Sequence, residues 1–179
     1  MTSTAAPLPP ATLKRMRMLT AAEIRASFGN IEPEEAEHIP LPGLHEVVWE
    51  DREFLGWRDP SLPSRGYLVH DSDDGAVGIV LRAADGSHGR GIPAMCSLCH
   101  ATQPAAQVSL WSAPRAGRAG RDGSSIGTYI CDDLGCPHII RMLPPSSPWA
   151  IGTGDLLEAR SAGLLERVRS FSTNVLAPR

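Results

Sequence analysis

The sequence predicts an α+β fold in which a small antiparallel sheet is followed by a C-terminal amphipathic helix. Three observations lead there. Two runs of β-forming residues, Tyr67–His70 and Ala76–Arg82, flank the turn-forming stretch Asp71-Ser72-Asp73-Asp74-Gly75 and read as a hairpin. A second pair of strands is expected at Val108–Ser112 and Ile126–Ile130, joined by a loop rich in Gly, Arg and Ser. Leu157, Leu164, Val168, Phe171 and Val175 recur at steps of 7, 4, 3 and 4, which is one apolar face of a helix over roughly 156–174.

The elements follow in chain order. Residues 1–12 are rich in Ala, Pro and Thr and hold too little apolar surface to offset the entropy of ordering, so 1–18 is expected to be a disordered extension. Thr20-Ala21-Ala22-Glu23 is a capping box that starts a helix running to about Phe28 and stopping at Gly29-Asn30. Residues 32–66 read as irregular, because Pro33, Pro40, Pro42, Pro60 and Pro63 interrupt any long element. Within them Phe54 and Trp57 are expected to anchor a loop to the core. Asp59 is expected to accept backbone hydrogen bonds in a turn before Pro60. Ala84-Asp85-Gly86-Ser87 reads as a turn, Pro144, Pro145 and Pro148 as a linker, and Gly154-Asp155-Leu156-Leu157-Glu158 as a second helix start. The domain is thus expected over 19–143, with linker and helix over 144–179.

Composition narrows the function. No apolar run approaches the ~18 residues that span a bilayer, and the N-terminus carries no signal-peptide pattern. All four cysteines fall between residues 96 and 136. That clustering is unlike a disulfide-stapled secreted chain, so the cytoplasm is the expected compartment. The net charge of −3 hides a division: residues 20–75 carry thirteen acidic and four basic groups, whereas 1–19 carry three basic groups and no acidic one. Such a face suits a protein partner at least as well as a nucleic acid.

Catalysis finds no support. No histidine begins the His-x-Glu of a zinc deaminase. Cys96-Ser97-Leu98-Cys99 lacks the strand–helix setting of a thioredoxin-like motif. Lys14 is the only lysine, so there is no phosphate-cradling loop with a lysine. We expect no enzyme, no small-molecule substrate and no membrane partner.

The cysteines read as two close pairs, Cys96/Cys99 and Cys131/Cys136, with gaps of two and four residues. Each pair can aim both thiolates at one ion. Four thiolates complete tetrahedral Zn2+ and leave no open position, so one structural zinc is expected. His100 and His138 flank the ligands and are the alternative donors. Pro137 suits the first turn of a helix continuing through Met142. Knuckle, hairpin and helix, with the last ligand near the helix start, is the order of a treble-clef zinc finger. Trp111, Tyr129, Ile130, Ile139 and Ile140 are expected to surround the metal, whose binding should be coupled to folding.

The tract Leu19–Arg141 resembles the elongation-factor-G-binding treble-clef domain of FusB-type fusidic acid resistance proteins. The likeness rests on Ile24–Phe28, on Phe54-Leu55-Gly56-Trp57-Arg58-Asp59-Pro60, on the first cysteine knuckle, and on Thr128-Tyr129-Ile130-Cys131-Asp132-Asp133. It implies zinc on Cys96, Cys99, Cys131 and Cys136, and binding to elongation factor G without chemistry on the drug. Resistance proteins of this type carry a helical bundle ahead of the zinc domain, where this chain has one short helix. A stand-alone, ribosome-linked version is therefore expected. The C-terminal helix lies outside the resemblance and either packs on the domain or makes a dimer contact.

Candidate partner-binding residues are Trp111, Tyr129 and Arg141, of the types that dominate interface energies. The alternative partner is ribosomal RNA, with Arg115, Arg118 and Arg121 of the loop reaching phosphates.

Overall fold

The computed structural model describes residues 16–84, 91–142 and 153–178. Of the extension expected to be disordered over 1–18, residues 1–15 lie outside the described residues, as do the turn at 85–87 and the proline linker at 144–148. Met16 is instead buried, and its amide donates to the Arg52 carbonyl at 3.1 Å, because its side chain joins the core that holds Ile24 and Trp57.

Five strands form one antiparallel sheet in the order β1-β2-β3-β6-β7: β1 (Leu55–Arg58), β2 (Arg65–Ser72), β3 (Gly75–Ala83), β6 (Val108–Pro114) and β7 (Ser125–Cys131). Between β3 and β6, β4 (Ala94–Met95) and β5 (Thr102–Gln103) make a separate short hairpin. Helices α1 (Ala21–Ala26) and α2 (Pro33–Glu37) precede the sheet, α3 (Gly117–Arg121) lies in the β6–β7 connection, and α4 (Cys136–Met142) and α5 (Thr153–Leu176) follow it.

Successive side chains on a strand point to opposite faces, and both faces here are covered. Tyr67 and Val69 of β2 and Val80 of β3 join Ile24, Phe28 and Trp57 in one core on the α1 side. Leu68, Ile79 and Leu81 face the other way, into a core shared with the four cysteines, Trp111 and α5. Two-sided burial explains why the central strands read as nearly continuous apolar runs. The long helix is held by Leu164, Val168, Phe171 and Val175, the face its periodicity marks. It packs on the domain, the first of the two roles its amphipathic pattern allows. The expected boundary at residue 143 therefore does not coincide with a division in the packing.

The Thr20 capping box forms: the Glu23 amide donates to the Thr20 hydroxyl at 3.2 Å, and the Thr20 amide donates to the Glu23 carboxylate at 2.8 Å. The α1 helix ends at Ala26, short of Phe28, because the following residues pair with β3. The Gly78 amide donates to the Ser27 carbonyl, and the Gly29 amide to the Gly78 carbonyl. Asn30 then imitates a peptide unit: its side chain accepts from the Val80 amide at 2.9 Å and donates to the Val80 and Pro114 carbonyls at 3.0 and 2.9 Å. It fills the place where β6 diverges from β3, the two strands being paired only at Arg82↔Ser112 and Ala83↔Trp111.

The 32–66 tract is more ordered than its prolines suggest. It holds α2, two single 3-10 turns (Leu44–Glu46 and Trp49–Asp51) and β1. Pro33 sits at the helix start, where its missing N–H costs nothing. Leu55 and Trp57 point into the α1-side core, giving β1 its two-residue period. Among the described residues no helix is long and apolar enough to cross a membrane.

Candidate metal centre

The four ligands reach the site from three local structures. Cys96 and Cys99 lie in the turn between β4 and β5, which is closed by hydrogen bonds from the Cys96 amide to the Ala101 carbonyl and from the His100 amide to the Cys96 carbonyl. Cys131 ends β7, and Cys136 opens α4. Both turns reverse through left-handed residues, His100 at φ 58° and Leu134 at φ 57°. An ordinary side chain there costs about 1 kcal/mol or more. The Ser97 amide donates to the Tyr129 carbonyl at 2.8 Å, which docks the first turn on β7.

The four sulfurs lie within 4.8 Å of one another, all buried. Cys96 and Cys136 approach to 3.6 Å, as do Cys99 and Cys131. A disulfide needs ~2.05 Å between sulfurs. A zinc tetrahedron with Zn–S near 2.3 Å has edges of about 3.8 Å. The spacing fits the second. Without a cation the four thiols share protons unequally: hydrogen bonds within the cluster hold Cys96 and Cys99 below the ordinary thiol value and push Cys131 and Cys136 above it. Zn2+ takes the place of those protons, so its uptake releases them. The four cysteines are positioned to bind one zinc ion. His100 and His138 are exposed and stand outside the sulfur set.

Around the ligands runs a set of polar supports. Arg58 donates to the Asp132 carbonyl through Nε at 2.6 Å and pairs with the Asp132 carboxylate through Nη2. Its guanidinium also stacks on the Trp111 ring at 4.7 Å. The Ser109 hydroxyl donates to the same carboxylate. Arg58 thus fixes the residue that follows Cys131. Asp59 behaves as expected, accepting from the Ser61 and Leu62 amides at 2.8 and 3.1 Å and from the Tyr67 hydroxyl at 2.7 Å. Burial works to raise its pKa, but these hydrogen bonds and Arg65 hold it below the usual carboxylate value.

A buried ion pair closes the far side. Glu53, 3% exposed, accepts two hydrogen bonds from Arg141 of α4, each 3.0 Å, and one from Ser161 of α5 at 2.6 Å. One carboxylate therefore ties the metal-bearing helix to the C-terminal helix. Nothing in the sequence marks Glu53 apart from its acidic neighbours; the signal lies in a pairing 88 residues long. Arg167 of α5 donates to the Leu98 carbonyl and so reaches the first cysteine turn.

The candidate partner residues separate. Trp111 is 0% exposed and packs beside the cysteines, so it is a core residue with no surface to offer. Arg141 is committed to Glu53 and is a structural cation. Tyr129, expected around the metal, is instead 48% exposed, because it occupies an outward position on β7, the sheet's last strand. The supposed arginine loop contains the short helix α3. There Arg118 pairs with Asp122 at 3.5 Å and Arg121 with Glu32 at 3.5 Å, while Arg115 donates to the Asn174 carbonyl at the end of α5.

Comparison with known proteins agrees with this architecture. The structure of the fusidic acid resistance protein FusC superposes with a TM-score of 0.57 at 14% sequence identity, covering 90% of this chain and 60% of that one. The chain thus spans about three-fifths of that protein's length, and at this identity the likeness shows the fold alone. No curated protein matches the chain. The family model described as the FBP C-terminal treble-clef zinc-finger matches residues 23–175 and takes in the sheet, both cysteine pairs and most of α5. With a treble clef built on four buried cysteines and a model match over most of its length, this chain belongs to the FBP C-terminal treble-clef zinc-finger family.

Proposed function

We propose that this protein is a non-catalytic, zinc-dependent binding module of the cytoplasm whose partner is elongation factor G or another ribosome-associated protein, and that it modulates translation through that contact. The observation that carries this reading is the family match over 23–175 together with a closed four-sulfur centre. Such a centre has no open coordination position for substrate or water, and its energetic role is to hold a surface.

The surface we assign lies where the first cysteine turn meets β7. Tyr129 is exposed there, and Ile92 and Met95, on the arm leading into the turn, are 73% and 56% exposed. Large apolar and aromatic side chains displayed on a rigid support make efficient anchors. The RNA reading draws less support, since Arg115, Arg118 and Arg121 each engage an acceptor of the chain itself.

Titration of purified elongation factor G into the zinc-loaded chain, followed by calorimetry, tests the reading. Saturable binding at micromolar concentration, weakened at least tenfold by Tyr129→Ala, is expected. No binding would leave the zinc fold without this partner. Salt-dependent RNA binding lost on replacing the three arginines would transfer the role to RNA.

A further inference from the structure

Gln103 is buried, at 9% exposure, on the short strand β5, four residues beyond Cys99. Its backbone neighbours belong to the first half of the metal site, because β5 pairs with β4 in register Ala94↔Gln103 and Met95↔Thr102. Its side chain belongs to the second half: Nε2 donates to Cys131 Sγ at 3.1 Å. Gln103 therefore spans the two cysteine pairs directly. Its amide is of fixed polarity, since the nitrogen can only donate and the sulfur accepts.

The four sulfurs are not equally served. Among the described residues, Cys131 receives this side-chain N–H and Cys96 receives the Cys99 amide at 3.4 Å; no comparable donor to Cys99 or Cys136 is present. An N–H donor on a thiolate withdraws charge from the sulfur and fixes its direction. Four thiolates around one Zn2+ leave a formal charge of −2 in a buried place, so one well-aimed donor matters.

We propose that Gln103 is the positioning residue of the zinc centre: its amide holds the Cys131 thiolate, lowers its charge, and locks the β4–β5 hairpin to β7 so that zinc leaves slowly. The inference rests on the metal centre alone and stands whether or not elongation factor G is the partner.

Two measurements on the full chain test it. In the wild-type protein loaded with 113Cd in place of zinc, a through-bond correlation between 113Cd and the Gln103 side-chain amide proton is expected, because the N–H···S–Cd path connects them. Its absence, with the other cysteine couplings visible, would overturn the proposal. In Gln103→Met, which keeps length and removes the donor, chelator-driven zinc loss should quicken by about 10–100-fold. The sulfur-to-metal charge-transfer band of the Co2+-loaded variant should also move to lower energy, as expected for a more electron-rich thiolate. Zinc loss within twofold of wild type together with an unmoved band would reduce Gln103 to a packing residue. If Gln103→Met fails to fold, the 113Cd correlation in the wild-type chain decides the matter by itself.

Discussion

Removing the Glu53 carboxylate should weaken the attachment of the C-terminal helix to the metal-bearing half of the domain, which its apolar face otherwise holds. Glu53 is almost wholly buried and accepts three hydrogen bonds, two from Arg141 at 3.0 Å and one from Ser161 at 2.6 Å. Breaking a buried ion pair by deleting one partner costs about 3–5 kcal/mol, because the other charge stays behind unpaired. In Glu53→Ala the stranded group is Arg141, whose side chain is 19% exposed and has Asp51 at 3.6 Å as a substitute partner. The loss should sit at the low end, about 3 kcal/mol. In Arg141→Ala the stranded group is the carboxylate, left with Ser161 alone, and the loss should be nearer 4 kcal/mol, on the order of the buried-pair range. For a chain of this size that corresponds to a fall in Tm of roughly 6–16 °C. Thermal unfolding by circular dichroism in zinc-saturated buffer measures it. The double variant Glu53→Leu/Arg141→Leu should recover much of the loss, since apolar replacement of both partners removes the stranded charge. Single variants that lose less than about 1 kcal/mol, as an exposed pair would, would refute the role assigned to this contact.

Three further outcomes follow from the same geometry. Gly56→Ala should destabilise the chain by about 1–3 kcal/mol and speed zinc loss, because an added Cβ would meet the Leu134 carbonyl oxygen at 2.5 Å, inside the second cysteine turn; denaturant unfolding and a chelator assay report both. His100→Gly should stabilise by up to about 1 kcal/mol, since it relieves a left-handed backbone at an exposed position; an unchanged or lower midpoint would contradict this. The Glu23 carboxyl should titrate near 2, held down first by the Thr20 amide and then by Arg17 and the Thr20 hydroxyl. Its folded pKa lies below the ordinary 4.5, so its contribution is complete above that pH and is lost as pH falls toward 2, which an NMR titration of Glu23 follows.

Local chemistry was legible in the sequence. The Thr20 capping box, the Asp59 turn, the two hairpins and the apolar face of the long helix all depend on residues a few positions apart, and each forms as expected. The metal site was legible for the same reason, because its four donors fall as two close pairs. Contacts at long range were hidden. Tyr129 and Trp111 are both aromatic residues on adjacent strands, and only the register, Leu110↔Tyr129 and Trp111↔Thr128, puts one outside and the other in the core. Arg141 looked like a surface cation because Glu53, its partner, lies in a proline-rich tract that gives little sign of a fixed position. The unexpected order of that tract comes from the same source: Trp57 donates to the Pro40 carbonyl at 2.8 Å and faces Tyr67 across 5.1 Å, contacts that the core supplies and the local sequence does not.

A single bound metal that creates the core it sits in is the claim on which the rest depends. Elemental analysis of the purified chain, paired with its melting curve before and after chelation, tests it directly. The geometry predicts one zinc per chain, loss of cooperative unfolding when the metal is stripped, and recovery when zinc is restored. Substoichiometric metal, or a melting curve that chelation leaves unchanged, would contradict it.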